Sequence, residues 1–248
     1  FEWKLGDLLK EWNFVSYKMQ SLRDNPETAN QEYQFDTDVD RKGLSPKVSY
    51  NIPKKLSSLS TEPSVAILRE QGVNGQVEMA AAFDRVGFSC TDVHMTDLIT
   101  GRRKLEEFSG LVACGGFSYG DVLGAGEGWA TSILYNESLR KDFQEFFSRD
   151  DVFTLGVCNG CQAIALLSDL IPGSNLWPKF VRNKSEKFEA RLIQLLIGKS
   201  PSIFFKGMDD SVLPVAVAHG EGQVSLGKKE INTLLQKGLV PITYANDE

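Results

Sequence analysis

Two histidines in 248 residues leave little choice of general base for proton-transfer chemistry. Four cysteines without framework spacing exclude a small disulfide-stapled scaffold and point to a reducing compartment. Basic residues are in the minority, 27 Lys and Arg against 33 Asp and Glu, for a net charge of −6 and a pI near 5.2. Positive charge is not gathered into a long run, so neither nucleic acid nor an anionic membrane is expected as a partner. No apolar stretch nears the length of a membrane span, and Phe1-Glu2-Trp3-Lys4 does not read as a signal peptide. The expectation is a soluble, cytoplasmic protein whose native start lies before residue 1.

What is present divides into two stretches. Residues 1–35 read as helical, with a stripe of Leu5, Leu8, Leu9, Trp12, Val15, Tyr17, Met19 and Leu22 that stops before Asp24-Asn25-Pro26. The polar, then Ser- and Pro-rich, stretch from 25 to 61 reads as a linker with one short strand at 47–52. From Pro63 strands and helices alternate. Strands are expected at 64–68, 91–95, 111–114 and just before Cys158, with helices over 76–86 and within 127–147. Further strands are expected at 190–196, 213–218 and 239–244. Short strands separated by helices predict an α/β domain with a mostly parallel central sheet, whose site lies at the carboxyl ends of the strands. The domains are therefore drawn as 1–61 and 62–248. The chain stops straight after its last expected strand, which reads as a C-terminally incomplete domain.

Gly156-Val157-Cys158-Asn159-Gly160-Cys161-Gln162 joins an apolar strand to a helix-forming stretch. A cysteine at a glycine-flanked strand-to-helix turn is the thiol counterpart of the G-x-S-x-G nucleophile elbow. A helix N-terminus behind Cys158 favours its thiolate. The bland alternative is a buried structural cysteine. Cys158-x-x-Cys161 also fits a redox motif or half a zinc site, but Cys90 and Cys114 supply no second pair, so no metal is expected.

Gly115-Gly116-Phe117-Ser118-Tyr119-Gly120-Asp121 follows a strand but lacks the Walker lysine and the G-x-G-x-x-G spacing. Backbone donors for an oxyanion are its better use, against the alternative of a flexible turn. His94 sits near a strand end and reads as structural. His219-Gly220-Glu221-Gly222 could offer a base and its orienter. Arg182-Asn183 with Ser185 could hold a carboxylate or amide, or form a solvated loop.

Together the motifs resemble a family. The elbow is similar to the G-x-C-x-G-x-Q elbow of class I (triad) glutamine amidotransferases. With residues 68–74, 113–126, Arg182-Asn183 and 218–222, the chain resembles the glutaminase domain of the phosphoribosylformylglycinamidine synthase family of purine biosynthesis. Leu22-Arg23-Asp24-Asn25-Pro26 resembles what precedes that domain in the large single-chain form. The resemblance implies a flavodoxin-like sheet flanked by helices, with Cys158 as nucleophile. Gly116 and Asn159 would be oxyanion donors, and Gly115, Phe117, Gln162, Asn183 and His219 would shape a glutamine pocket. It implies no cofactor in this chain. ATP and Mg belong to the synthetase domains upstream in the same polypeptide, which would receive the ammonia. The family's triad His and Glu come from a His-Pro-Glu motif that these 248 residues lack, and His219 matches a separate His-Gly-Glu-Gly segment, not the base. These residues alone are therefore expected to be inactive or weak as a glutaminase; the alternatives are a non-catalytic interaction fragment, or a thiol hydrolase or redox protein using Cys158 with His219 or Cys161.

Overall fold

Asn25 explains the first departure from the sequence reading. In the computed structural model, which describes residues 2–51 and 62–245, α1 (Leu5–Arg23) is followed almost at once by α2 (Pro26–Asp36). The Asn25 side chain accepts the Thr28 N–H at 3.1 Å, and Pro26 occupies the first helical position. There its missing N–H costs nothing and its fixed φ suits the helix. The stretch 1–35 read as helical is thus two helices, the second of which overlaps the residues also assigned to the linker. The two helices form an antiparallel hairpin. Tyr17 and Tyr33 stack at 4.5 Å between centroids, the Tyr33 hydroxyl donates to the Lys10 carbonyl at 3.1 Å, and Gln20 donates to Glu32 at 2.8 Å. The opposite edge of α1 is bare. Leu5, Leu8, Trp12, Val15, Met19 and Leu22, spaced alternately by three and four, are 50–90% exposed. In place of the expected strand at 47–52 there is a single bridge, Lys47 to Val212; residue 52 lies outside the described residues.

The chain divides into two units, one of residues 62–180 and the other of 2–51 with 181–245 among those described. In the first, β1 (Ser64–Arg69), β2 (Ser89–His94), β3 (Gly110–Ala113) and β4 (Phe153–Gly156) form a parallel sheet in the order β2-β1-β3-β4. Val65 to Leu68 and all of β3 are buried, which is why both strands read as unbroken apolar runs rather than alternating ones. Helices cover both faces, α3 (Gln76–Asp84), α4 (Met95–Ile99), α5 (Glu127–Leu134), α6 (Glu137–Phe147) and α7 (Asn159–Leu166) among them. Ala66, Leu68, Leu111 and Ala113 pack with Trp129, Ile133, Phe143, Phe146, Ala163 and Ile164. Val65, Ile67 and Val112 pack with Phe83, and Phe88 and Phe153 flank them. This is the helix-flanked α/β sheet expected. The stretch 127–147 is two helices because Asn136 caps α6 by accepting the Leu139 N–H at 3.2 Å. A short strand, β5 (Lys179–Val181), leads out of this unit.

In the second unit β6 (Glu189–Ile197) pairs antiparallel with β7 (Val212–His219), and, beyond β8 (Gln223–Ser225) and α8 (Lys228–Gln236), also with β9 (Ile242–Tyr244). The three strands were expected at about these positions, but they make an antiparallel sheet of their own in the order β7-β6-β9. No helix among the described residues is long and apolar enough to cross a membrane.

Candidate active site at the Cys158 elbow

Cys158 stands between β4 and α7 with φ 52° and ψ −116°, a backbone region that L-residues rarely occupy. Such a conformation persists only where the surroundings enforce it, and here two glycines do. A Cβ on Gly160 would lie 2.1 Å from the Ala113 carbonyl oxygen, and one on Gly156 would lie 2.7 Å from the Cys161 Cα. Only residues without a side chain let α7 start this close to β3 and β4, and the resulting tight turn leaves Cys158 exposed.

Asn159, wholly buried, ties the elbow to the glycine-rich loop. Its Oδ1 accepts the Ser118 N–H at 2.9 Å, while its Nδ2 donates to Asp121 at 3.0 Å and to Gln162 Oε1 at 3.2 Å. The sequence pointed to the Asn159 backbone and missed this side chain; an amide three residues before Gln162 in the first turn of α7 was the available signal. As the first residue of α7, Asn159 has an N–H with no partner inside the helix. Gly116, with φ 147°, bridges Val73. The Gly115 carbonyl accepts from Asn74 at 2.8 Å, and within one trans peptide C=O and N–H point oppositely. The Gly116 N–H is therefore turned away from residues 72–74. A Cβ on Gly115 would stand 3.2 Å from the Cys158 Cβ, so this loop runs beside the thiol.

Burial pushes the Asp121 carboxyl up, against the bonds from Asn159 and the Gly126 N–H. An acid raised in this way stabilises the fold fully below its unfolded pKa of about 3.9 and loses that contribution as pH rises through the folded value. Asp121→Asn keeps both accepted bonds, removes the charge and suits the positive φ of 50°. We expect the variant to be at least as stable as wild type at neutral pH, with a flatter melting profile from about pH 4 upward. A lower melting temperature at neutral pH would overturn this account.

Burial raises the other three thiols. Burial drives Cys114 up to about 11, helped by Asp92, and also raises Cys90. Burial, then the charge of Cys158, raises Cys161.

His94 has the structural role expected of it. Its Nδ1 accepts the Thr96 N–H at 3.1 Å, capping α4. That assigns the proton to Nε2, which faces the buried Glu70 carboxylate at 3.4 Å. Glu70 also accepts the Gln71 N–H at 2.7 Å and bonds the hydroxyl of Tyr119 in the glycine-rich loop. β2 and β4 are the two outer strands, three steps of about 4.8 Å apart, so His94 is roughly 14 Å from the elbow and beyond proton-transfer reach.

Asn183 and His219 belong to the other unit and form a cluster of their own. Asn183 Nδ2 donates to the carbonyls of His219 at 2.8 Å and Lys187 at 3.0 Å. Its Oδ1 must then accept, from the Gly222 N–H at 2.9 Å and from His219 Nδ1 at 2.9 Å. The His219 proton is thereby placed on Nδ1. Gly222 lies flat on the imidazole, since a Cβ there would come within 2.2 Å of Cε1. Phe117, half exposed, completes the residues singled out from sequence. No group of metal-binding side chains exists among the described residues.

The family of CobB/CobQ-like glutamine amidotransferase domains matches residues 62–248. The structure of PurLQS from Thermotoga maritima superposes with a TM-score of 0.55 at 22% identity, over 68% of this chain and 72% of that one. A glutamine amidotransferase from the same organism gives a TM-score of 0.42 at 23% identity, over 68% of this chain and 64% of that one. At 22% identity the likeness to PurLQS speaks for the fold alone.

Proposed function

Because this chain belongs to the CobB/CobQ-like glutamine amidotransferase domain family, we propose that its Cys158 thiolate hydrolyses glutamine to glutamate and ammonia. The sulfur adds to the side-chain carboxamide carbon, and the resulting oxyanion is met by the N–H groups of Gly116 and Asn159. Collapse, with a proton taken up from water, expels ammonia and leaves a γ-glutamyl thioester, which water cleaves to glutamate with return of the thiolate and release of protons. Gly115, Phe117 and Gln162 line the approach. Neither His94, by distance, nor His219, by motif, is given the role of general base.

The finer reading is that residues 62–248 serve a phosphoribosylformylglycinamidine synthase. The ammonia then converts formylglycinamide ribonucleotide to the amidine in synthetase domains that use ATP and Mg, and residues 1–61 lead in from those domains. Its support is the resemblance of residues 68–74, 113–126 and 218–222, with the exposed apolar stripe of α1, which suits a chain working against a larger partner.

The observation that carries the proposal is the enforced positive φ of Cys158 at a strand-to-helix turn. A glutamine-like diazo-ketone is expected to alkylate Cys158 alone among the four cysteines, and glutamine to protect it. Peptide mass mapping reads the result. A label on Cys90, Cys114 or Cys161 with Cys158 untouched, or no label at all, would falsify the nucleophile assignment.

A further inference from the structure

We infer that the Asn159 side chain is a positioning residue, whose amide sets the spacing between the two backbone donors that meet the oxyanion. The inference rests on the reading of the Gly116 and Asn159 N–H groups as those donors, and deepens it by naming what aligns them.

The two donors belong to different segments. Asn159 opens α7, whereas Gly116 lies in the loop after β3. Both N–H groups must reach one oxygen, so the gap between helix and loop has to be held closely. The loop backbone has little stiffness of its own, with Gly116 at φ 147° and Gly120 at φ 64°. Tyr119 and Asp121 stand at positive φ of 53° and 50°, which persists only under constraint from the surroundings. Two backbone bonds run from the loop to the turn after β1, Phe117 N–H to the Gly72 carbonyl and Tyr119 N–H to the Gln71 carbonyl, both at 2.9 Å. These tie the loop to β1, not to α7.

The wholly buried Asn159 amide supplies the link to α7. Its Oδ1 accepts the N–H of Ser118, close after Gly116 in the loop, at 2.9 Å, and its Nδ2 donates to Asp121 at 3.0 Å. Gln162 Oε1, from inside α7, takes the other amide hydrogen at 3.2 Å. Each end of the amide is therefore matched. A flipped amide would set its oxygen against two acceptors and its NH2 against a donor. Its orientation is fixed, and the place of the loop over the elbow follows from it.

This arrangement of polarities can be reversed. Asn159→Asp replaces the NH2 by a carboxylate oxygen of nearly the same size. The backbone N–H and the acceptor for Ser118 remain, and an acid at the first helical position suits the dipole. The new oxygen meets the Asp121 carboxylate and the Gln162 carbonyl, so the bridge to the loop opens. Adding Asp121→Asn restores a donor and an acceptor, in the opposite order.

The experiment compares two reactions of Cys158. A γ-glutamyl aryl thioester acylates the sulfur through a tetrahedral oxyanion, and the aryl thiolate then leaves without a proton, so no general acid is needed. Iodoacetamide alkylates the same sulfur by displacing iodide, with no oxyanion. Both reactions need the thiolate, so the ratio of their rates cancels any change in its fraction. Rapid quenching with peptide mass mapping reads both, and melting curves verify that each variant is folded. Asn159→Asp should lower the ratio by about 30- to 100-fold, a little less than outright loss of one donor costs. Asn159→Ala, which removes the bridge without adding charge, should show a similar fall. The double variant Asn159→Asp/Asp121→Asn should return to within about threefold of wild type, because the two changes couple. A ratio unchanged in both single variants would overturn the inference, as would a double variant no better than Asn159→Asp. A wild type whose Cys158 is alkylated but never acylated defeats the glutaminase reading itself. Acylation by wild type that all the variants match defeats this inference alone.

Discussion

Gly160→Ala is expected to destabilise the α/β unit by about 3–5 kcal/mol, although helix propensity alone favours alanine by about 1 kcal/mol. The steric term wins because of what the new methyl meets. It would lie 2.1 Å from the Ala113 oxygen, 2.4 Å from the Ala113 carbon and 2.8 Å from the Cys114 oxygen. These are backbone atoms at the end of β3, which is paired with β1 on one side and β4 on the other, so they cannot yield as a flexible side chain would. Relief requires lifting α7 from the sheet, at the expense of the packing of Ala163 and Ile164. Urea unfolding followed by near-UV circular dichroism measures the cost. A midpoint at or above wild type would show that the elbow has slack not evident in its geometry.

Asn183→Ala is the second large effect, about 2–4 kcal/mol in the unit that holds β6 and β7. One side-chain amide satisfies two carbonyls, one backbone N–H and one imidazole N–H, all between 2.8 and 3.0 Å. Truncation leaves all four without that partner at once, and partial water access limits the penalty to less than a fully dry site would impose. Hydrogen exchange at Gly222, whose N–H loses its acceptor, should rise by more than about tenfold, since tenfold corresponds to 1.4 kcal/mol. Unchanged protection at Gly222 would mean that the loop is held by other contacts.

The parts of the fold visible in sequence are those with local causes. Val65–Leu68 and Leu111–Ala113 could be read as buried strands because both faces of each are covered, leaving an uninterrupted apolar run. The elbow could be read because glycines on either side of Cys158 have few other uses. The break between α1 and α2 was overlooked inside the stretch read as helical, although Asn25-Pro26 is a helix start, and the cap at Asn136 was overlooked in the same way. Strand partners were not legible. Leu195 faces Leu213 on one side and Tyr244 on the other, contacts set by packing across long separations, which no local pattern encodes. In the candidate site, Cys158 could be singled out from its motif while the residues around it could not. Asn159, Asp121 and Ser118 are polar residues of ordinary appearance, and only their convergence within hydrogen-bond distance gives them a role.

The torsion angles of Cys158 bear on how such a protein changes over generations. Glycine adopts positive φ about as readily as negative, so a mutation of Cys158 to glycine releases strain of order 1–3 kcal/mol while deleting the thiol. Drift toward stability therefore runs against the sulfur at this position. A lineage that no longer needed the thiol would gain by discarding it, whereas one that keeps it holds a residue the fold itself disfavours.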